Sequence, residues 1–379
     1  MFEPDEHQRL VQETARKYAQ ESLAPIAAQL DREGRFPAEQ LRELADLGMM
    51  GVNVPDEYGG ASAGAVAYAL AMMEIAQGCA STAVAMAVTN MVAETIVRFG
   101  TPEQRKRYVP ELTSGRFLAG SFGLSEPSGG SDAAALRTSA VRDGSGWVLN
   151  GEKQWITSGD RAGVIIVWAR TQAGAGSRGI SAFLVEGGQR GLRVGKHEDK
   201  MGLRASTTVS LAFEDMRLRR DQLLREEGHG FGIAMAALDG GRIGIASQAV
   251  GIATAALRAS VRYAKERRAF GQPIGDFQAI RFMLADCDTQ IEASRLLALH
   301  AARLKEAGRP FSREGSMAKL FATETANRVC DVAVQVHGGY GYIDEFPVER
   351  HYRDVRASTL YEGTSEVQRL VISRELLKD

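Results

Sequence analysis

Val164-Ile-Ile-Val-Trp168 is a short run of β-branched and aromatic side chains in a chain otherwise dominated by helical spacing. Three similar runs flank it, Trp147-Val-Leu149, Ser181-Ala-Phe-Leu-Val185 and Val209-Ser-Leu-Ala-Phe213, and Asn150-Gly151 reads as a hairpin turn. Residues from about 122 to 225 are therefore expected to be β-rich. Upstream, residues 4 to about 120 carry helical periodicity, and Thr101-Pro-Glu-Gln104 combines a capping box with a proline at the first helical position. Downstream of about 229, Ala246, Ala249, Val250, Ala253, Leu257, Val261 and Ala264 recur at steps of three and four, the apolar stripe of a long helix. Gly308 and Pro310 punctuate the chain beyond this stripe, and helices at roughly 276–306, 312–336 and 348–376 complete a bundle. The expected fold is mainly α with a central β domain, divided into an N-terminal helical domain (1–121), a middle β domain (122–228) and a C-terminal four-helix bundle (229–379).

Composition narrows the function. Of 379 residues 44% are hydrophobic, enough for a large core, and 46 basic against 47 acidic side chains leave no field that would attract nucleic acid or a membrane surface. Cys79, Cys287 and Cys330 are scattered, without the spacing of a zinc site or a disulfide framework, so no metal is expected and a reducing compartment fits. The start, Met1-Phe-Glu-Pro-Asp-Glu6, lacks an apolar signal core and an Arg-rich transit pattern, and no stretch of about 18 uninterrupted apolar residues occurs. A cytoplasmic protein without membrane insertion is the expectation.

Three motifs carry chemistry. In Leu360-Tyr-Glu-Gly-Thr-Ser-Glu-Val-Gln-Arg369, Glu362 stands between an aromatic ring and a glycine. A carboxylate against apolar surface loses hydration and gains proton affinity, which suits a general base; a solvated turn residue is the alternative. Gly123-Leu-Ser-Glu-Pro-Ser-Gly-Gly-Ser-Asp132 has the glycines and hydroxyls to turn several N–H groups toward one ligand, or to form a surface turn. Gln335-Val-His-Gly-Gly-Tyr-Gly-Tyr342 is a second glycine cluster. Neither follows a strand and opens a helix, so a Rossmann or P-loop nucleotide site is excluded.

Taken with Glu152-Lys-Gln-Trp-Ile-Thr-Ser158 and Glu266-Arg-Arg-Ala-Phe-Gly-Gln272, these runs resemble the acyl-CoA dehydrogenases in order and approximate spacing over nearly the whole chain. Asp239-Gly-Gly-Arg-Ile-Gly-Ile-Ala-Ser-Gln248 and the Tyr361–Leu370 run are most similar to the short-chain, butyryl-type branch. The resemblance implies a barrel-like middle domain, FAD as cofactor, an acyl-CoA substrate, an electron-transfer flavoprotein as acceptor, and a homotetramer built as a dimer of dimers. It implies that Glu362 takes the α-proton while its backbone N–H polarises the thioester carbonyl and the flavin takes the β-hydride. An oxygen-using flavin oxidase or monooxygenase on the same fold, and a dehydrogenase of 2-methyl-branched chains, stand beside this reading.

By the same resemblance Trp155, Ile156 and Thr157 lie along the flavin ring, and Phe122, Leu124, Ser125, Gly130 and Ser131 contact flavin and thioester. Arg267 matches the arginine that reaches a neighbouring subunit's FAD pyrophosphate, leaving Arg268 solvated; Phe270, Gln278, Gln335, Gly338 and Gly339 surround the same end, with Thr364 and Glu366 completing the set. On the substrate side stand Ser131, Leu238, Asp239, Arg242, Tyr361 and Gly363, with Asp239 accepting from an amide or capping a helix start. His337 and His229 are given no catalytic role, and the basic run Gln104-Arg-Lys-Arg107 reads as a solvated helix face. Isovaleryl-type relatives carry their base where this chain has Gly241, and glutaryl-type relatives need an arginine where it has Ser81-Thr-Ala-Val-Ala-Met86.

Overall fold

The structure, a computed structural model, describes residues 3–378; Met1 and Phe2, part of the acidic start, lie outside the described residues. The N-terminal part holds α1 (Glu6–Tyr18), α2 (Ala27–Glu33), α3 (Ala38–Asp46), α4 (Gly64–Gly78), α5 (Ala80–Phe99) and α6 (Pro102–Thr113). Thr101 and Gln104 form the expected capping box at α6, with Pro102 at the first helical position. Helix α5 is long and apolar enough to cross a membrane by length and composition, yet 89% of its most apolar window is buried inside the protein.

Eight strands come next: β1 (Ala119–Gly123), β2 (Ser139–Asp143), β3 (Gly146–Thr157), β4 (Ala162–Arg170), β5 (Ile180–Glu186), β6 (Leu192–His197), β7 (Thr208–Leu218) and β8 (Leu223–Leu224). They pair in the order β6-β7-β3-β2-β4-β5-β8, and β1 runs parallel to β4. The Val164–Trp168 run forms the middle of β4 and shows no polar alternation because both of its faces are covered. Val164, Ile166 and Trp168 enter a core shared with Val92, Ile96 and Tyr108 of α5 and α6, while Ile165 and Val167 enter a second core with Trp147, Leu211 and Phe213. Because β1 starts at Ala119, the boundary expected at 121/122 falls inside a strand.

Asn150-Gly151 is not the hairpin turn. The β2–β3 turn lies at Gly144, whose φ is +59°, and Asn150-Gly151 is an irregularity within β3 where the register with β7 shifts. Asn150 is occupied there, accepting from the Asp215 N–H at 2.8 Å.

The C-terminal part opens with α7 (Gly230–Glu266), 37 residues long, which packs against α4 and α5 as well as its own bundle. A small hairpin, β9 (Arg268–Ala269) and β10 (Gln272–Pro273), leads to α8 (Gln278–Glu306) and α9 (Ser312–His337). The single helix expected over 348–376 is instead α10 (Val348–Val355), a 3₁₀ turn, and α11 (Ser365–Leu376). Glu362 and Gly363 have φ of +53° and +89°, conformations no α-helix accommodates, and Thr364 starts α11 afresh by accepting from the Val367 N–H. Beside this break Asp354 accepts from the Leu203 N–H at 2.6 Å and Arg353 pairs with Asp31 at 2.7 Å, tying the bundle to the other two parts.

Candidate active site

The α10–α11 break presents Glu362 toward α7. Gly241 lies opposite: a methyl group there would come within 2.7 Å of Glu362 Oε2 and 3.0 Å of Met91 Sδ on α5. Oε2 is buried without a hydrogen-bond partner. Burial lifts the Glu362 carboxyl to about 7, against the opposing charges of Arg242 and Lys319. A carboxylate with one free, desolvated oxygen and a proton affinity near neutrality is competent as a base.

The segment around it is held from several sides. Gln368 Nε2 donates to the carbonyls of Glu362 (3.1 Å) and Gly363 (2.8 Å), and Lys319 Nζ donates to Gly363 O at 2.8 Å. A side chain at Gly363 would meet Gln368 Nε2 at 2.7 Å. Tyr361 donates to Gln248 Oε1 at 2.6 Å, and Gln248 in turn donates to Ala80 O at 2.9 Å. Asp239 lies well inside α7, which overturns its reading as a helix-start cap; it accepts from Arg242 at 2.5 Å and Ser312 at 2.8 Å. The Arg242 guanidinium is thus oriented from within, with Nε buried and unpaired.

The loop 123–132 meets β3 beside this pocket. The Lys153 ammonium, fully buried, binds Glu126 Oε1 at 2.8 Å and Leu124 O at 3.1 Å, while Glu126 also accepts from the N–H groups of Arg137 and Thr138. Burial pulls Lys153 down to about 8. Burial pushes Glu126 the other way, but Lys153 and the donors outweigh it and hold the carboxyl below its usual range. Gln154 N–H donates to Ser125 O and Ser121 Oγ to Thr157 O, so loop and strand are locked together. At a second register shift between β3 and β7, between Lys153 and Ile156, Trp155 takes φ +64° and is 62% exposed, whereas Ile156 is buried and Thr157 half-buried. Phe122, against Trp168, packs with Leu124, Leu238 and Met91 into one cluster, which brings the loop and the Glu362 pocket together. Gly130 and Ser131 are exposed.

Arg267, Gln335, Gly338 and Gly339 converge elsewhere, around a cavity of about 460 Å³ also lined by Tyr263, His337 and Tyr340. Arg267 lies at the C-terminal end of α7, about 39 Å along the helix axis from Gly241 at 1.5 Å per residue. Phe270, 95% exposed, and Gly271 form the left-handed two-residue turn between β9 and β10, and Gln278 opens α8 on the surface. Arg268 is not simply solvated, since it donates to Gly271 O at 2.8 Å and braces that turn. Thr364 is the α11 cap, with Glu366 exposed in its first turn. His337 stacks on Tyr263 at 4.3 Å and bonds Ala333 O, and His229 stands at the start of α7. The run at 104–107 is a solvated face only in part: Lys106 and Arg107 are exposed, Arg107 pairing with Glu186, whereas Gln104 is buried and donates to Asp221 O and Leu223 O. Among the described residues no cluster of His, Cys, Asp and Glu is arranged for a metal.

Lys319, Gln368, Glu126, Lys153 and Gln248 were not singled out from the sequence. Lys153 was findable, because the inward positions of β3, Trp147 and Leu149, continue at steps of two onto it. Lys319 falls on the stripe of Gly315, Ala322 and Ala326 that α9 buries.

Comparison with known proteins covers the whole architecture. The acyl-CoA dehydrogenase N-terminal, middle and C-terminal domain families match residues 5–116, 121–216 and 228–377. A mitochondrial short-chain specific acyl-CoA dehydrogenase of Bos taurus is 52% identical over 99% of this chain and 91% of its own. The solved butyryl-CoA dehydrogenase of Megasphaera elsdenii superposes with a TM-score of 0.98 at 41% identity, over all of both chains. A chain from a structural study of the electron transferring flavoprotein of Acidaminococcus fermentans, on flavin-based electron bifurcation, gives 0.98 at 43%, again over all of both chains.

Proposed function

The chain belongs to the acyl-CoA dehydrogenase family of flavin-dependent oxidoreductases, and on that footing we propose that it oxidises short, uncharged acyl-CoA thioesters, butyryl-CoA foremost, with Glu362 as the base. The observation that carries the proposal is the unpaired, buried Glu362 Oε2 against Gly241, a position with no side chain to compete for the α-proton. Short uncharged chains are favoured because the first turns of α5 hold only Ser81, Thr82, Ala83, Val84, Ala85 and Met86, all buried, and no cation to pair with a distal carboxylate. Bound FAD would supply the hydride acceptor that no side chain provides.

The residues fit that group. Exposed Trp155, with Thr157, Phe122, Ser125, Gly130 and Ser131 over buried Leu124 and Ile156, would form an edge for a flat ring, and the Arg267–Gln335–Gly338–Gly339 cavity suits a pyrophosphate, with exposed Phe270 and Gln278 assigned to the same cofactor end by the family resemblance. The distance along α7 supports assigning the second group to a neighbouring subunit's cofactor, and hence an oligomer, for which the family resemblance suggests a homotetramer. Apolar side chains left exposed on the bundle, Phe282, Met283, Leu296 and Leu370, favour such an assembly. Arg242 orients the CoA portion, Thr364 and Glu366 the cofactor at the α11 start, and the N–H of Glu362 polarises the thioester carbonyl. An electron-transfer flavoprotein is the proposed acceptor, in keeping with the Acidaminococcus relative. Anaerobic titration with acyl-CoAs of graded length tests the reading: butyryl-CoA should bleach the flavin most completely, and a preference for glutaryl-CoA, isovaleryl-CoA or chains of about twelve carbons would overturn it.

A further inference from the structure

Every base needs a defined resting place and a defined charge state, and Glu362 obtains both from an unusual neighbour. Lys319 is fully buried on α9, its Nζ 2.8 Å from the carbonyl of Gly363. That carbonyl belongs to the second of two consecutive left-handed residues, and the same carbonyl accepts from Gln368. Two donors on one oxygen fix a turn that is costly for glutamate to adopt alone. A lysine is a poor choice for structure only, because desolvating an ammonium is expensive and an amide would bond the carbonyl as well.

We propose that Lys319 is a positioning residue for proton abstraction, whose ammonium anchors the Glu362–Gly363 turn through the Gly363 carbonyl and whose charge keeps the Glu362 carboxylate ionised when substrate arrives. The proposal rests on the assignment of Glu362 as base. Of the charged and titratable groups facing this carboxylate, Arg242 on α7 is already claimed by Asp239, and Tyr68 on α4 and Tyr361 have their phenols pushed upward by burial and remain neutral. On α5, Glu94 faces Tyr68 and is paired with Lys305 of α8 at 2.8 Å. Glu324 and Glu366 act on Lys319 itself, and Arg374 on Arg242. Lys319 is thus the cation near Glu362 that no carboxylate holds in an ion pair. Burial pulls it down to about 8, with Glu362 the leading charge acting against that fall. Its influence is therefore strongest below pH 8 and fades as it deprotonates.

The test compares Lys319→Met, which keeps length and removes charge and donor, with Lys319→Arg, which keeps the charge. Two readouts are taken on the holoenzyme: the pH profile of flavin reduction by butyryl-CoA, and an infrared titration of protonated carboxyl without substrate, with Glu362→Gln identifying the Glu362 band. Lys319→Met should raise the midpoint of both by about 1 in pH and slow reduction about tenfold at pH 6.5, with recovery toward pH 9. Lys319→Arg should restore most of the low-pH rate, and flavin content should be unchanged in both. Superimposable profiles for Lys319→Met and wild type, or a loss equal at every pH, would overturn the role of Lys319. If Glu362→Gln still reduces its flavin, the assignment of the base fails instead, whatever the lysine variants do.

Discussion

Gly241 and Glu362 face each other so closely that a methyl group on one would stand 2.7 Å from Oε2 of the other. Alanine inside a helix is ordinarily favoured over glycine by about 1 kcal/mol, so Gly241→Ala sets a local gain against displacement of the base. The expected result is a Tm unchanged or slightly raised with flavin reduction slowed at least about tenfold. Stopped-flow absorbance and calorimetry on the same sample check this, and a lowered Tm with full activity would contradict it.

Glu362→Gln should abolish substrate-driven bleaching, a loss of roughly 10²–10⁴ or more, while flavin and acyl-CoA still bind. Its effect on stability has a definite sign. The folded carboxyl titrates near 7, above its ordinary value of 4.5, so between those values the native state holds a proton that the unfolded chain has released, and stability falls as pH rises. Glutamine removes that penalty. The variant should be the more stable protein above pH 7, by about 3 kcal/mol, with the advantage gone near pH 4; thermal melts across this range measure it.

Removing Lys153 would strand the Glu126 carboxylate in the interior. Lys153→Met is expected to cost about 3–5 kcal/mol and to loosen the 123–132 loop, weakening FAD retention. The double variant with Glu126→Gln should recover a substantial part of the stability, which a denaturant series on all three proteins resolves.

Arg267→Ala should reduce flavin occupancy after gel filtration and destabilise the oligomer together with it. Arg268→Ala should cost less, through the Gly271 contact alone. Equal losses in the absorbance ratio would refute the assignment of Arg267 to the pyrophosphate.

Among substrates, kcat/KM should be highest for butyryl-CoA and fall by about 1–3 kcal/mol for each methylene the pocket rejects. A maximum at a 2-methyl-branched chain would move the enzyme to the branched-chain group.

The long elements were legible because apolar spacing dictates them: α8 and α9 lie within a residue or two of their expected limits, α7 opens where expected, and the apolar run of β4 marked a strand. Punctuation was harder. Asn-Gly is a strong turn signal, yet Asn150 is engaged by Asp215 and the chain turns at Gly144 instead. A helix running through 348–376 overlooks Glu362, because nothing in its residue type announces a left-handed conformation that only Lys319, Gln368 and Thr364 together can hold. The chemistry of Glu362 was readable from its motif, whereas the buried cations that govern it sit far away in sequence.

Helix α7 also acts as a ruler. One end carries Asp239, Gly241 and Arg242, the other Arg267, and the span between is wedged among α4, α5, α8 and α9. Inserting or deleting one residue between Ala246 and Ala264 would swing the far end by about 100° and shift it by about 1.5 Å, taking Arg267 out of line with Gln335 and Gly338. Side chains on the helix's exposed face can vary freely, but the number of residues in that stretch cannot, so gene variants that lengthen or shorten it by one codon should lose flavin even when every named contact residue is intact.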